Sequence, residues 1–106
     1  MSTPTNEYLR ARDLVAAQKE RDQALLRLRS RAATWLLLAP HEVDIPEAVR
    51  EARRLEERGM ESNTSRLIIL LAQDYIEAQQ AVDNIVRDLD RMRAEQFHLE
   101  YEETAS

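Results

Sequence analysis

Along residues 66–92, RLIILLAQDYIEAQQAVDNIVRDLDRM, apolar side chains recur at alternating steps of three and four: Ile68, Leu71, Tyr75, Ala78, Val82, Ile85, Leu89 and Met92. That spacing places all eight on one side of an α-helix, in the kind of seam by which helices wind against each other. Around Leu67–Leu71 the run is apolar on nearly every side, so one neighbouring helix does not cover it. Ser62, Asn63 or Thr64 can cap this helix, whose pattern then runs over about 64–102.

An earlier helix is predicted over about 6–39, roughly 50 Å long at 1.5 Å per residue. Thr5 or Asn6 caps it, Pro4 stands just outside and Glu7 lies in its first turn. Its apolar stripe is less regular. Tyr8, Leu9, Leu14 and Val15 begin it; Leu25, Leu28, Ala32, Trp35, Leu36 and Ala39 finish it. Between them, QKERDQ (18–23) is polar on every face, either solvated or lining something polar. Pro40 stops the helix, and HEVDI (41–45) makes a short connection. A short helix follows over 46–58, with Pro46 and Glu47 in its first turn and Ala48, Val49, Ala52 and Leu55 on its apolar face. Gly59, the only glycine, stands where a left-handed C-terminal residue belongs.

The expected fold is therefore all-α: a single domain over 1–106 with long–short–long helix order, a helical hairpin with a short middle element. One short helix cannot shield the whole length of two long ones. The apolar surplus at Leu67–Leu71 and Trp35–Leu38 calls for a further partner, and a second copy of the chain is the simplest one. A homodimeric bundle is the expectation, with Ile68, Leu71, Tyr75, Val82, Ile85, Leu89, Met92 and Trp35 as its interface residues. A monomeric three-helix bundle is the alternative.

Composition narrows the chemistry. Charged residues make up 33% and aromatics 5%, a balance that fits long helices and not a turn-rich β-fold. The absence of cysteine excludes disulfides, thiolate chemistry and cysteine-ligated zinc. MSTPTNEYLRARD shows no basic region followed by an apolar one, and no apolar run is long enough to cross a bilayer. A soluble cytoplasmic protein without membrane contact is expected. Residues 1–58 carry a net charge of +1 and residues 59–106 a net of −6. The acidic half argues against general nucleic-acid binding, which rests on many phosphate contacts.

Few residues are placed for catalysis. Arg93 and His98 have an R-x4-H spacing seen in some all-α ribonuclease domains, and Glu95 and His98 an E-x-x-H spacing used in helical metal sites. Both lie near a helix end, where a solvated histidine is the simpler reading. His41 sits in a loop with no partner in view. No nucleophile–base set, phosphate-binding glycine loop or zinc spacing is present, and neither metal nor cofactor is expected. Arg27 and Arg31 share one helical face, as do Arg50 and Arg54. Such arginines ordinarily pair with nearby acids, here Glu20, Asp22, Glu47 and Glu51.

The arginine pattern also resembles the all-α chorismate mutases. Arg10 and Arg27 are separated by sixteen residues, Glu47, Arg50 and Glu51 form an E-x-x-R-E motif, and Gln79 or Gln80 lies in the third helix. The resemblance implies an intertwined dimer of three-helix chains that rearranges chorismate without a cofactor, or a related lyase acting on isochorismate. It further implies that Arg10 enters the partner's site, Arg27 holds a carboxylate, Glu51 accepts the substrate hydroxyl and Gln79 donates to the ether oxygen. Leu38 stands where that family has a lysine, and Lys19 is the chain's only lysine. The preferred reading is a non-catalytic helical interaction protein (adaptor, inhibitor or assembly subunit) acting as a homo-oligomer with an unidentified protein partner. The alternative is a mutase-like enzyme, or a degenerate relative that binds a dicarboxylate through the clustered arginines.

Overall fold

A computed structural model describes residues 5–105, with side chains described for residues 5–97. Among these residues the chain forms α1 (Asn6–Leu36), a 3-10 turn (Pro40–Glu42), α2 (Ile45–Glu57) and α3 (Asn63–Ala105), with no strand. The all-α, long–short–long architecture expected from the pattern is the one observed.

Each boundary has a local cause. At the start of α1 the Thr5 side chain accepts the Tyr8 N–H at 3.1 Å; Pro4 lies outside the described residues. Asp44 caps α2 by accepting the Glu47 N–H at 3.2 Å, with Pro46 in the first turn, where its missing N–H goes unneeded. At α3 the cap is reciprocal. The Ser62 N–H donates to Ser65 Oγ at 2.8 Å and the Ser65 N–H to Ser62 Oγ at 3.1 Å. Ser65 can therefore be fully buried, because its hydroxyl also donates to the Ser62 carbonyl at 3.0 Å.

The two inner helix ends close in the same way. After α2, Gly59 takes φ +68°, its N–H donates to Glu56 O at 3.0 Å and the Met60 N–H to Leu55 O at 2.8 Å. These are the hydrogen bonds of a Schellman closure, with glycine at the left-handed position. After α1, the Leu37 N–H donates to Thr34 O at 3.4 Å and the Leu38 N–H to Ala33 O at 3.0 Å. The left-handed residue here is Leu37, at φ 57°. The helix expected to reach about residue 39 thus stops at Leu36. The stop is made by this closure and not by Pro40, which opens the 3-10 turn that follows. Arg29 fastens the connection, donating from Nη1 to the carbonyls of Pro40 (3.1 Å) and Val43 (3.3 Å).

α1 and α3 run antiparallel along most of a rod measuring 68 × 30 × 21 Å. The seam is used inside the chain. Ile68, Val82, Ile85 and Leu89 are buried, and Leu71, Tyr75, Ala78 and Met92 are half-buried. α2 covers only the end nearest the connections. There Ala48 and Ala52 meet Ala32, Ala33 and Ala72, small residues that let the helices approach closely around Leu28 and Ile68. Trp35 packs half-buried on this same cluster. The remaining length is a two-helix hairpin.

At that far end the sequence pattern misleads. Tyr8, Leu9 and Val15 are exposed, although they were expected to begin the stripe, and Leu36 at its other end is also exposed. Arg10 occupies the inward position instead, four residues before half-buried Leu14. Its Nε and Nη2 both donate to Asp88 Oδ2, at 3.1 and 2.7 Å. The Glu7–Arg93 pair at 3.1 Å closes the end of α1, so polar contacts replace apolar ones there. In QKERDQ, Gln18 and Arg21 are half-buried and the rest are solvated, with Arg21 paired to Asp22.

Candidate functional site

The most distinctive surface lies on the side of the hairpin that α2 leaves bare. Leu26, Arg27, Ser30, Arg31 and Thr34 of α1 and Leu67 and Leu71 of α3 line an open groove of about 490 Å³. Two rows at four-residue spacing, Leu26–Ser30–Thr34 and Arg27–Arg31, bring the α1 residues to one flank. Leu26 is 62% exposed, and Leu70, one helical step from Leu67, is 51% exposed. Arg27 and Arg31 were expected to pair with Glu20 and Asp22. No hydrogen bond or ion pair engages either guanidinium among the described residues, and Asp22 is taken by Arg21. The groove is thus apolar and cationic together. Leu67 and Leu71 belong to the apolar surplus expected from the sequence, whereas Leu26, Ser30 and Thr34 were not singled out; their spacing beside the two arginines was the available signal.

The residues implied by the mutase resemblance are not gathered into one place within a chain. Arg10 and Arg27 are seventeen positions apart on α1, roughly 25 Å along its axis. Asp88 first, and then Asp13, raise the Arg10 pKa above its ordinary value. Arg50 gives two hydrogen bonds to Glu47 Oε2 (3.2 and 2.7 Å), and Arg54 gives one to Glu51 at 2.8 Å. These acid–arginine pairs satisfy one another on the surface of α2. Leu38, Glu47 and Glu51 share a small depression with Leu36 and Glu42, separate from the groove holding Arg27. Gln79 donates to Asp83 at 3.0 Å, and Gln80 is exposed.

The other polar candidates are dispersed as well. Arg93 is held by Glu7, Glu95 is exposed, and the His98 side chain lies outside the described residues. His41 is exposed beside Glu42, with Nε2 at 3.8 Å. Among the described residues no group of three acids or histidines is placed to hold a metal ion, and no helix is long and apolar enough to cross a membrane.

No family model matches the chain, and no curated protein or solved structure matches it either.

Proposed function

We propose that this chain is a non-catalytic α-helical interaction protein, an adaptor, inhibitor or assembly subunit. In this reading it works as a homodimer through the face of the α1–α3 hairpin opposite α2. Exposed area is the observation that supports it. The chain exposes 8075 Å², whereas a compact monomer of the same mass exposes about 6,100 Å². The radius of gyration agrees: 20.3 Å, against about 13 Å for a compact chain of this length.

Because Ile68, Val82, Ile85 and Leu89 are buried against the chain's own helices, they act by holding the hairpin straight. The contact surface of the proposed dimer is the flank beside them, with Leu26, Leu67, Leu70 and Leu71 as its apolar part. Leu26→Glu together with Leu70→Glu tests this, since both side chains are half or more exposed and their replacement leaves the fold intact. The double variant is expected to sediment as a monomer with unchanged helical circular dichroism. A double variant that dimerises like the parent would overturn the assignment of this face.

One observation favours a second reading. Arg27 and Arg31, without a partner among the described residues and set over an apolar groove, suit a small carboxylate ligand, because a guanidinium binds a carboxylate through two parallel hydrogen bonds. A mutase-like activity would need Arg10 from a partner subunit and would have to proceed with Leu38 in the lysine position. Following chorismate by its ultraviolet absorbance tests it. Turnover abolished by Arg27→Ala would replace the first reading, and no turnover above background would retire the second.

A further inference from the structure

The flank that carries the groove also carries acids, and the chain does not bring the two together. Glu20, Gln23, Arg27, Arg31 and Thr34 follow one another along α1 at steps of three and four, so all five share that flank. Leu67, Leu71, Asp74, Ala78 and Ala81 do the same along α3. Arg10 opposite Asp88 and Glu7 opposite Arg93 set the register of the hairpin, which brings Ala24 level with about residue 74. From the α2 end the face therefore begins with leucines and cations (Leu67, Leu71, Arg31, Arg27). Acids and alanines follow (Asp74, Glu20, Ala78, Ala81). Glu20 and Asp74 are exposed, as the two arginines are, and among the described residues none of the four makes a hydrogen bond or ion pair. Along the axis of α1, Glu20 stands roughly 10 Å from Arg27 and roughly 16 Å from Arg31.

Building on the homodimer reading, we infer that a second copy covers this face in antiparallel orientation, and that its Glu20 occupies the site between Arg27 and Arg31. The two-fold axis passes near Ala24, midway between Glu20 and the arginine pair, and on α3 near Asp74. A patch with cations on one side of its centre and acids on the other is self-complementary under that rotation, as an isologous contact requires. Each Glu20 meets the partner's Arg27 and Arg31, and each Leu67 lies over the small side chains of the partner's Ala78 and Ala81. The charges also fix the direction. A parallel pair would set Glu20 of each chain beside Asp74 and Glu77 of the other, acid against acid.

Charge reversal tests the contact. Arg27→Glu with Arg31→Glu in one full-length chain, and Glu20→Lys in another, are each expected to weaken self-association about tenfold, at unchanged helical circular dichroism. Mixing the two variants is expected to restore the dimer, because every opposed pair is then of opposite sign. The direction is tested separately. The chain contains no cysteine, so a single introduced cysteine carries a single spin label. Labels at Gln23→Cys, beside the axis, are expected less than about 20 Å apart in the dimer, and labels at Tyr8→Cys roughly 50 Å apart. A dimer indifferent to both reversals would overturn the inference. So would failure of the mixture to recover, or a Tyr8→Cys distance of about 30 Å or less, as a parallel pair gives. Each of these results leaves the homodimer reading standing. A parent chain that sediments as a monomer would remove both.

Discussion

Leu37 offers the sharpest single-residue test, because the chain carries its own control. Leu37 and Gly59 occupy the same left-handed position in two closures with the same backbone hydrogen bonds. An L-residue with a side chain pays about 1–2 kcal/mol for that conformation, and glycine does not. Leu37 recovers little from its side chain, which is 91% exposed. Leu37→Gly should therefore stabilise the protein. The gain is reduced by glycine's larger unfolded-state entropy, about 0.4–1 kcal/mol, leaving a net of about 0.5–1 kcal/mol. For a chain of this size that raises the midpoint by about 2–5 °C. Urea unfolding followed by helical circular dichroism measures it, with the m-value expected to stay constant. The shift should be equal at low and high protein concentration, since Leu37 lies outside the proposed contact face. A Leu37→Gly variant that is less stable than the parent would refute the reasoning and assign the leucine side chain a contact of its own.

Gly59→Ala is the mirror experiment. An added Cβ meets nothing within 4 Å, so the expected loss of about 1 kcal/mol comes from the backbone alone, read in the same urea titration. Ser65→Ala removes the acceptor for the Ser62 N–H inside a buried cap, and should cost about 1 kcal/mol. Ser62→Ala combined with it should cost less than the sum of the two single changes, because the cap is reciprocal. Ile68→Ala empties the fully buried centre of the three-helix end; a loss of about 2–5 kcal/mol is expected by thermal or urea unfolding. The Arg10–Asp88 pair should leave stability flat with pH around neutrality. A pKa raised above that of the unfolded chain contributes fully below the unfolded value and fades only as pH rises through the folded one, far on the alkaline side.

Much of the architecture is legible in the sequence because it is local. The three-and-four spacing of Ile68 to Met92, the Thr5 cap, Pro46 at a helix start and Gly59 at a helix end each act within a turn or two of chain. What is not legible is decided between helices. Periodicity marks Tyr8, Leu9 and Val15 as apolar, but Asp88 on α3 selects Arg10 for the inward position and rotates those three outward. Leu37 reads as one more helical leucine, since no local rule favours leucine in the left-handed region. The groove depends on which flank α2 covers. That choice follows from its alanines meeting Ala32, Ala33 and Ala72, so Arg27 and Arg31 are left bare while Arg50 and Arg54 find acids on their own helix.

Sedimentation equilibrium of the unmodified chain across a wide range of concentrations bears most directly on the proposed function. The expected result is a reversible species of twice the 12.3 kDa chain mass, giving way to monomer on dilution. A single species at the chain mass, at every concentration and salt level, would contradict it and leave the exposed leucines to a different protein.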